Sequence, residues 1–259
     1  MLRIKNVTVN FGGIVALNNV NIDIEKGAII GLIGPNGAGK TTVFNVISGI
    51  YNPNTGRIEF SNYDITYKKT YQVSALGISR TFQNIRLFKE LSVIDNVKIS
   101  FHKNISYNLF DAIFRTSKFL KEEEQNHKKA EELLKIFGLY EKRFELAKNL
   151  PYGEQRKLEI VRALATSPKL LLLDEPAAGM NPQETQELKN LIKFIKEKFD
   201  LTILLIEHDM SVVMDICEKI YVLDYGEVIA VGTPVEVKNN PRVIEAYLGE
   251  GDLEFAYSK

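Results

Sequence analysis

The chain has 259 residues, 45% hydrophobic and 25% charged, the balance of a folded protein with room for one large or two small domains. Its 33 Lys+Arg and 33 Asp+Glu cancel, so the whole molecule has no basic excess with which to hold a nucleic-acid backbone, and nucleic acid is excluded as an expected partner. The single cysteine, Cys217, excludes an internal disulfide and a cysteine-only metal site, and a reduced cytosol suits it.

The N-terminal stretch Met1-Leu2-Arg3-Ile4-Lys5-Asn6 lacks the apolar run of a signal peptide. No apolar stretch reaches the roughly 20 residues that span a bilayer, so work at a membrane requires other chains to hold this one there.

Loose apolar/polar alternation predicts half-buried strands over 2–10 and 17–25, with turn signals at Gly12-Gly13 and Glu25-Lys26-Gly27. The apolar run 28–33 predicts a buried strand that leads into a Gly-rich loop, and 41–50 reads as a helix closed near Gly49. Asn52-Pro53-Asn54-Thr55-Gly56 is a turn before a strand at 57–60, and 78–82 reads as another strand.

From 91 to 166 strand pattern almost vanishes. Residues 118–137 form a predicted helix with a solvated charge run at 121–132 and apolar Leu133, Leu134 and Phe137. A second helix is predicted over 153–166, with Leu158, Val161, Leu164 and Ala165 on one face. Strands then resume at 169–173, 201–206, 219–223 and 227–231, with helices at 183–198 and 211–217. Such alternation predicts an α/β fold with a mainly parallel sheet, split in sequence by a helical insert.

Gly34-Pro35-Asn36-Gly37-Ala38-Gly39-Lys40-Thr41 matches G-x-x-x-x-G-K-[ST] in full, between a predicted strand and a predicted helix. In that context backbone N–H groups face phosphates at the positive end of the helix. Lys40 is then expected to reach the β- and γ-phosphates of ATP, Thr41 to ligate Mg²⁺, and Thr42 to complete the nucleotide-binding set. Asp174 ends the run Leu170 to Leu173, where a strand-end carboxylate beside such a loop holds Mg²⁺. Glu175 follows and is the candidate for activating the attacking water.

Three further residues read two ways on their own. Gln83, after Ile78-Ser79-Arg80-Thr81-Phe82, is either a neutral Mg²⁺ contact at the border of the insert or a polar loop residue. His208, in Glu207-His208-Asp209, is either a γ-phosphate contact or a surface or capping histidine. Phe11 is either an adenine platform or a core aromatic at a strand end.

The order of phosphate loop, Gln83, Leu150-Pro151-Tyr152-Gly153-Glu154-Gln155, Asp174-Glu175, Ala178-Gly179-Met180-Asn181 and His208 resembles the nucleotide-binding subunit of ABC transporters, over residues 2–249. The resemblance implies a P-loop NTPase of RecA-like core, with an N-terminal antiparallel β subdomain and an inserted α-helical subdomain. Within a single ATPase domain at 1–259, it assigns the nucleotide-binding core and β subdomain to 1–88 and 167–240. The helical subdomain takes 89–166, and a C-terminal helix and tail take 241–259.

By the same resemblance two subunits close head to tail on ATP, the signature segment Leu150–Gln155 of one meeting the phosphate loop of the other. Ala178–Asn181 stands as the D-loop. Gln83 becomes a metal and coupling residue, and His208 a catalytic one beside Glu175 and Lys40. Phe11 becomes the adenine contact, and the helical insert the surface that meets the membrane partner.

Tyr152-Gly153, Glu175 to Pro182, Ile206 to Met210, Arg80 to Phe88, Asn240 to Gly249 and the insert from Asn108 to Phe119 are similar to one of two ATPase subunits of branched-chain amino-acid importers. Urea and short-amide importers share much of this pattern. The resemblance implies a second ATPase subunit, two transmembrane permeases, an external solute-binding protein reached through them, and a place on the cytoplasmic face of the membrane.

Pro151 stands where the family has a phosphate-binding serine and offers neither hydroxyl nor N–H, while Tyr152 replaces a glycine. The composite site that uses this segment is therefore expected to be the weaker of two, which favours a heterodimer. Competing classes are weaker fits. A soluble mechanical ABC ATPase usually carries a long coiled-coil insert or two cassettes. A GTP switch needs an Asn-Lys-x-Asp that the chain lacks, and a small-molecule kinase leaves residues 150–155 without a task.

Overall fold

A computed structural model describes residues 1–102 and 105–248; the expected tail at 249–259 lies outside the described residues. β1 (Leu2–Phe11) and β2 (Ile14–Ile24) form a hairpin in which Phe11 pairs with Ile14. β2 thus starts three residues before the expected 17, because exposed Ile14 and Val15 close the turn. β3 (Ile29–Ile33) runs into α1 (Lys40–Ile47). β4 (Thr55–Phe60), β5 (Tyr63–Asp64), α2 (Thr70–Leu76) and β6 (Ile78–Arg80) follow.

α3 (Val93–Phe101), α4 (Leu109–Ile113), α5 (Ser117–Ile136) and α6 (Tyr152–Ala165) make up the helical stretch. β7 (Leu170–Asp174), α7 (Pro182–Lys198), β8 (Thr202–Ile206), α8 (Met210–Ile216), β9 (Lys219–Asp224), β10 (Glu227–Gly232), α9 (Pro234–Lys238) and α10 (Pro241–Leu248) complete the chain. None of these helices is long and apolar enough to cross a membrane among the described residues.

Two compact units emerge, one of Met1–Arg80 with the chain from Lys169 onward, the other of Thr81–Pro168. The first holds two sheets. β2-β1-β4-β5 is antiparallel; β10-β9-β3-β8-β7-β6 is parallel except where β10 pairs with β9. β3, β7 and β8 are buried along their whole length, as parallel strands covered on both faces require, which is why they read as unbroken apolar runs. Leu2, Leu17, Ile58 and Phe60 of the antiparallel sheet share one core with Leu32, Leu172, Leu204 and Leu223 of the parallel sheet and Phe44 and Ile47 of α1.

α8 lies close on β3. A Cβ at Gly31 would stand 3.1 Å from Val213 Cγ1 and 3.2 Å from Cys217 Sγ, so the smallest residue permits that approach. Burial pushes the Cys217 thiol up to about 12.

In the second unit α3 packs on α5 and α6, burying Val93, Val97, Leu134, Leu158 and Val161. Ser92 caps α3, its hydroxyl accepting from the Asp95 N–H at 3.1 Å.

Candidate functional site

Register places the ends of three parallel strands in one row. Leu32 of β3 pairs with Ile206 of β8, and Ile206 with Asp174 of β7. The chain leaves these strands into Gly34, Glu175 and Glu207, so three expected site segments emerge from one carboxyl edge, where open α/β sheets bind ligands. β6 adds Arg80. Its guanidinium donates to Asp174 Oδ2 at 2.8 Å and to Asn45 Oδ1 at 2.7 Å, tying the end of β7 to α1. Arg80 also lies over the Phe44 ring at 5.3 Å.

The loop from Gly34 to Gly39 is held by its own backbone. Ala38 N–H donates to Pro35 O at 3.2 Å and Gly226 N–H to Ala38 O at 3.0 Å. At Gly34, φ is +147° and a Cβ would fall 2.0 Å from the Leu223 carbonyl oxygen, so this position needs glycine for the fold of the loop itself. Lys40 opens α1, is buried, and donates to Gly34 O at 2.6 Å and Pro35 O at 2.8 Å. Two backbone carbonyls of the loop thus accept from its ammonium, and a phosphate oxygen is a stronger acceptor than either. Thr41 and Thr42 follow in the first turn of α1. Phe11 ends β1, is 43% exposed, and meets the Tyr51 ring edge-on at 5.1 Å.

Glu175 adopts φ +47°, a left-handed conformation unusual outside glycine, and turns the chain sharply off β7. Its N–H donates to Ile206 O at 2.9 Å and its carbonyl accepts from Ala178 N–H at 3.2 Å. Its Oε2 lies 3.8 Å from His208 Nδ1, whose side chain is 63% exposed. Met180 N–H donates to Ala177 O at 3.1 Å, and Asn181 caps α7 by accepting from Glu184 N–H at 2.9 Å. Ala178–Asn181 is therefore a fixed turn between β7 and α7.

Glu207, which sequence reasoning passed over, is 1% exposed; its Oε1 accepts from Ala177 N–H at 2.8 Å. Burial pushes its carboxyl up to about 7, against the pull of the Ala177 N–H and His208.

Gln83 and the segment Leu150–Gln155 belong to the second unit. The Gln83 carbonyl accepts from Arg156, whose guanidinium also donates to Phe82 O at 2.6 Å and Glu159 Oε2 at 3.1 Å. Pro151 is the N-cap of α6 with no side-chain cap bond. Gln155 turns back to donate to Leu150 O at 2.8 Å, and Glu154 is ion-paired to Lys142 at 2.7 Å. Tyr152 is half-exposed, its hydroxyl 3.3 Å from Arg156 Nη2.

The family model described as ABC transporter matches residues 17–178, and that described as branched-chain amino acid ATP-binding cassette transporter matches 227–252. The chain is 44% identical over 250 residues to the high-affinity branched-chain amino acid transport ATP-binding protein LivG of Salmonella typhimurium, covering 96% of this chain and 98% of LivG. This chain belongs to the LivG-like ABC transporter ATP-binding proteins.

As a LivG-like protein it is an ATPase whose hydrolysis is coupled to transport. Its fold is that of the ABC ATPases. It matches the ADP conformation of MJ1267, an ATP-binding cassette of an ABC transporter, at TM-score 0.84 and 35% identity, covering 96% of this chain and 98% of that one. A dimeric post-hydrolysis state of the cassette MJ0796, bound to ADP and Pi, matches at TM-score 0.77 and 27% identity, covering 90% of this chain and 99% of that one. Family membership brings ATP to this LivG-like chain. Within the first unit, the Thr41 hydroxyl and the Asp174 carboxylate are oxygen donors of the hard type that Mg²⁺ takes.

Proposed function

We propose that this LivG-like ATPase powers the uptake of branched-chain amino acids from the cytoplasmic face of the membrane. It would act beside a second, different ATPase subunit, two permeases and, through them, an external solute-binding protein. The observation that carries the reading is the 44% identity to LivG along 96% of this chain. Deleting the chain in its host is expected to abolish high-affinity uptake of leucine, isoleucine and valine, read as radiolabelled solute accumulated. Loss of urea or short-amide uptake alone, with branched-chain uptake intact, would assign it to that related importer instead.

In the mechanism, Lys40 and the N–H groups of the Gly34–Gly39 loop bind the β- and γ-phosphates, and Phe11 offers its exposed face to adenine. Thr41, Asp174 and Gln83 would hold Mg²⁺, and the chemistry it would supply is neutralisation of charge at the phosphoryl group under transfer. Arg80 holds the Asp174 carboxylate at 2.8 Å, fixing where β7 presents it. Glu175 orients the attacking water and accepts its proton, and His208 contacts the γ-phosphate from the end of β8. Gln83, anchored within the helical unit by Arg156 through its carbonyl, passes the closing motion on to the membrane partner.

The uncapped Pro151 start of α6 supports unequal composite sites, because the helix offers a γ-phosphate no hydroxyl there. The better site then joins this chain's Lys40, Asp174 and Glu175 to the signature segment of the other subunit. Purified alone as Glu175→Gln and given ATP, the chain is expected to stay mostly monomeric in light scattering, and to dimerise tightly only with the second ATPase. Homodimers as tight as the heteropair would sink the unequal-site reading.

A further inference from the structure

We infer that Glu207 is a positioning residue for hydrolysis: it locks the D-loop turn to the strand end that carries His208. Its Oε1 accepts the Ala177 N–H at 2.8 Å, one residue before Ala178–Asn181. Two residues earlier on the same exit, Glu175 N–H donates to Ile206 O at 2.9 Å. Both bonds run in the same sense, from N–H groups of the β7 exit to acceptors at the β8 exit. Together they fix the turn that carries Glu175 relative to the turn that carries His208, whose side chains stand 3.8 Å apart.

A bland packing role is the alternative, and the side chain itself argues against it. Glu207 is 1% exposed, and its Oε2 is buried with no hydrogen-bond partner among the described residues. Burying a carboxyl to use one of its two oxygens is a poor way to fill space, since an apolar side chain of similar volume does so without that desolvation cost. The bonded oxygen is the one that reaches Ala177, at the start of the turn that leads into the D-loop. Three titratable neighbours face Glu207 electrostatically near the catalytic edge: His208, Glu175 and Asp209. A fourth, Cys217, senses it from the end of α8.

This inference rests on Glu175 and His208 carrying the hydrolysis, so the test includes a control for that reading. Glu207→Met keeps volume and removes the acceptor; Glu207→Gln keeps an acceptor oxygen in the same place. The assay uses the full chain assembled with the subunits that copurify with it, with Glu175→Gln measured in parallel. For Glu207→Met, kcat for ATP is expected to fall by about tenfold or more, with KM for ATP within about twofold and thermal stability equal or raised. Glu207→Gln should restore most of the kcat.

Unchanged kcat in Glu207→Met, or loss of stability without loss of kcat, overturns the proposal, as does a Glu207→Gln variant as slow as Glu207→Met. Should Glu207→Met fail to fold, hydrogen exchange in the wild-type chain decides. Protection of the Ala177 amide upholds the bond, and exchange at the rate of an open loop overturns it. A Glu175→Gln variant that still hydrolyses ATP would defeat the underlying mechanism; a dead Glu175→Gln beside a normal Glu207→Met defeats only the role of Glu207.

Discussion

Substituting Glu175 by Gln leaves ATP binding in place and lowers ATP turnover by ~10²–10⁴-fold, the range that a positioned general acid–base group contributes. Glu175 holds φ +47° directly after a fully buried strand, and two backbone hydrogen bonds pin that conformation, one to Ile206 and one to Ala178. Residues kept in such sparsely populated conformations cost on the order of 1–3 kcal/mol and persist where the surroundings over-determine them. Here the strained turn carries a carboxylate that lies next to the strand-end Asp174 and 3.8 Å from His208. Glutamine has the same shape and makes no demand on the backbone that glutamate does not, so the fold and the phosphate loop stay intact. What it lacks is the capacity to accept a proton. The measurement pairs phosphate release with equilibrium binding of a fluorescent ATP analogue, and turnover within about twofold of wild type would refute the assigned role.

Arg156→Leu is expected to lower unfolding free energy by about 3–5 kcal/mol, the cost of leaving a buried charge without its partner. Arg156 is 1% exposed in α6, yet it donates to Phe82 O, to Gln83 O, to Glu159 Oε2 at 3.1 Å and to the Tyr152 hydroxyl at 3.3 Å. Burial raises the Glu159 carboxyl, while the Arg86 N–H at 3.2 Å and Arg156 pull it back down. Without the guanidinium, Glu159 keeps the backbone N–H groups of Phe82 and Arg86 and the nearby charge of Arg162, but loses its ion-pair partner, and the Phe82 and Gln83 carbonyls lose the Arg156 donor. Urea unfolding followed by far-ultraviolet circular dichroism gives the loss as a shift in midpoint. Adding Glu159→Leu removes the orphaned charge and should recover part of the deficit, a coupling that a double-mutant cycle measures. An Arg156→Leu chain with an unshifted midpoint would show that the network is dispensable.

The parts of this protein that a reader of the sequence finds are those whose cause is local. The phosphate loop is legible because its glycines answer to the loop's own backbone, as Gly34 does beside the Leu223 carbonyl. β3, β7 and β8 are legible because parallel strands covered on both faces leave unbroken apolar runs. α2 is not, because its seven residues bury only Val73 and show no period. α4 buries no residue at all, so it has no core-facing stripe to read. α3 carries a signal, Ser92 capping with Asp95 and the buried set Val93, Ile94, Val97 and Phe101, which is easily hidden in a stretch whose plainest feature is the lack of strand pattern.

The residues missed in the site are charged side chains whose partners are remote in sequence. Arg80 meets Asp174 94 residues away, Arg156 meets Phe82 at 74, and Glu207 meets Ala177 at 30. On its own each reads as an ordinary surface charge. Only the fold reveals that all three are buried or nearly so, and that each fixes the backbone or carboxylate beside a residue of the proposed chemistry.

The close seat of α8 on β3 has one more consequence. Cys217 lies 6% exposed, with its thiol pushed up to about 12, so a thiol reagent meets almost no thiolate and almost no path in the closed molecule. As the chain's single cysteine, it is a built-in clock on the α/β unit. Each modification event records an opening of the layer under the phosphate loop, and any nucleotide that binds only the closed form slows that clock in proportion to its occupancy.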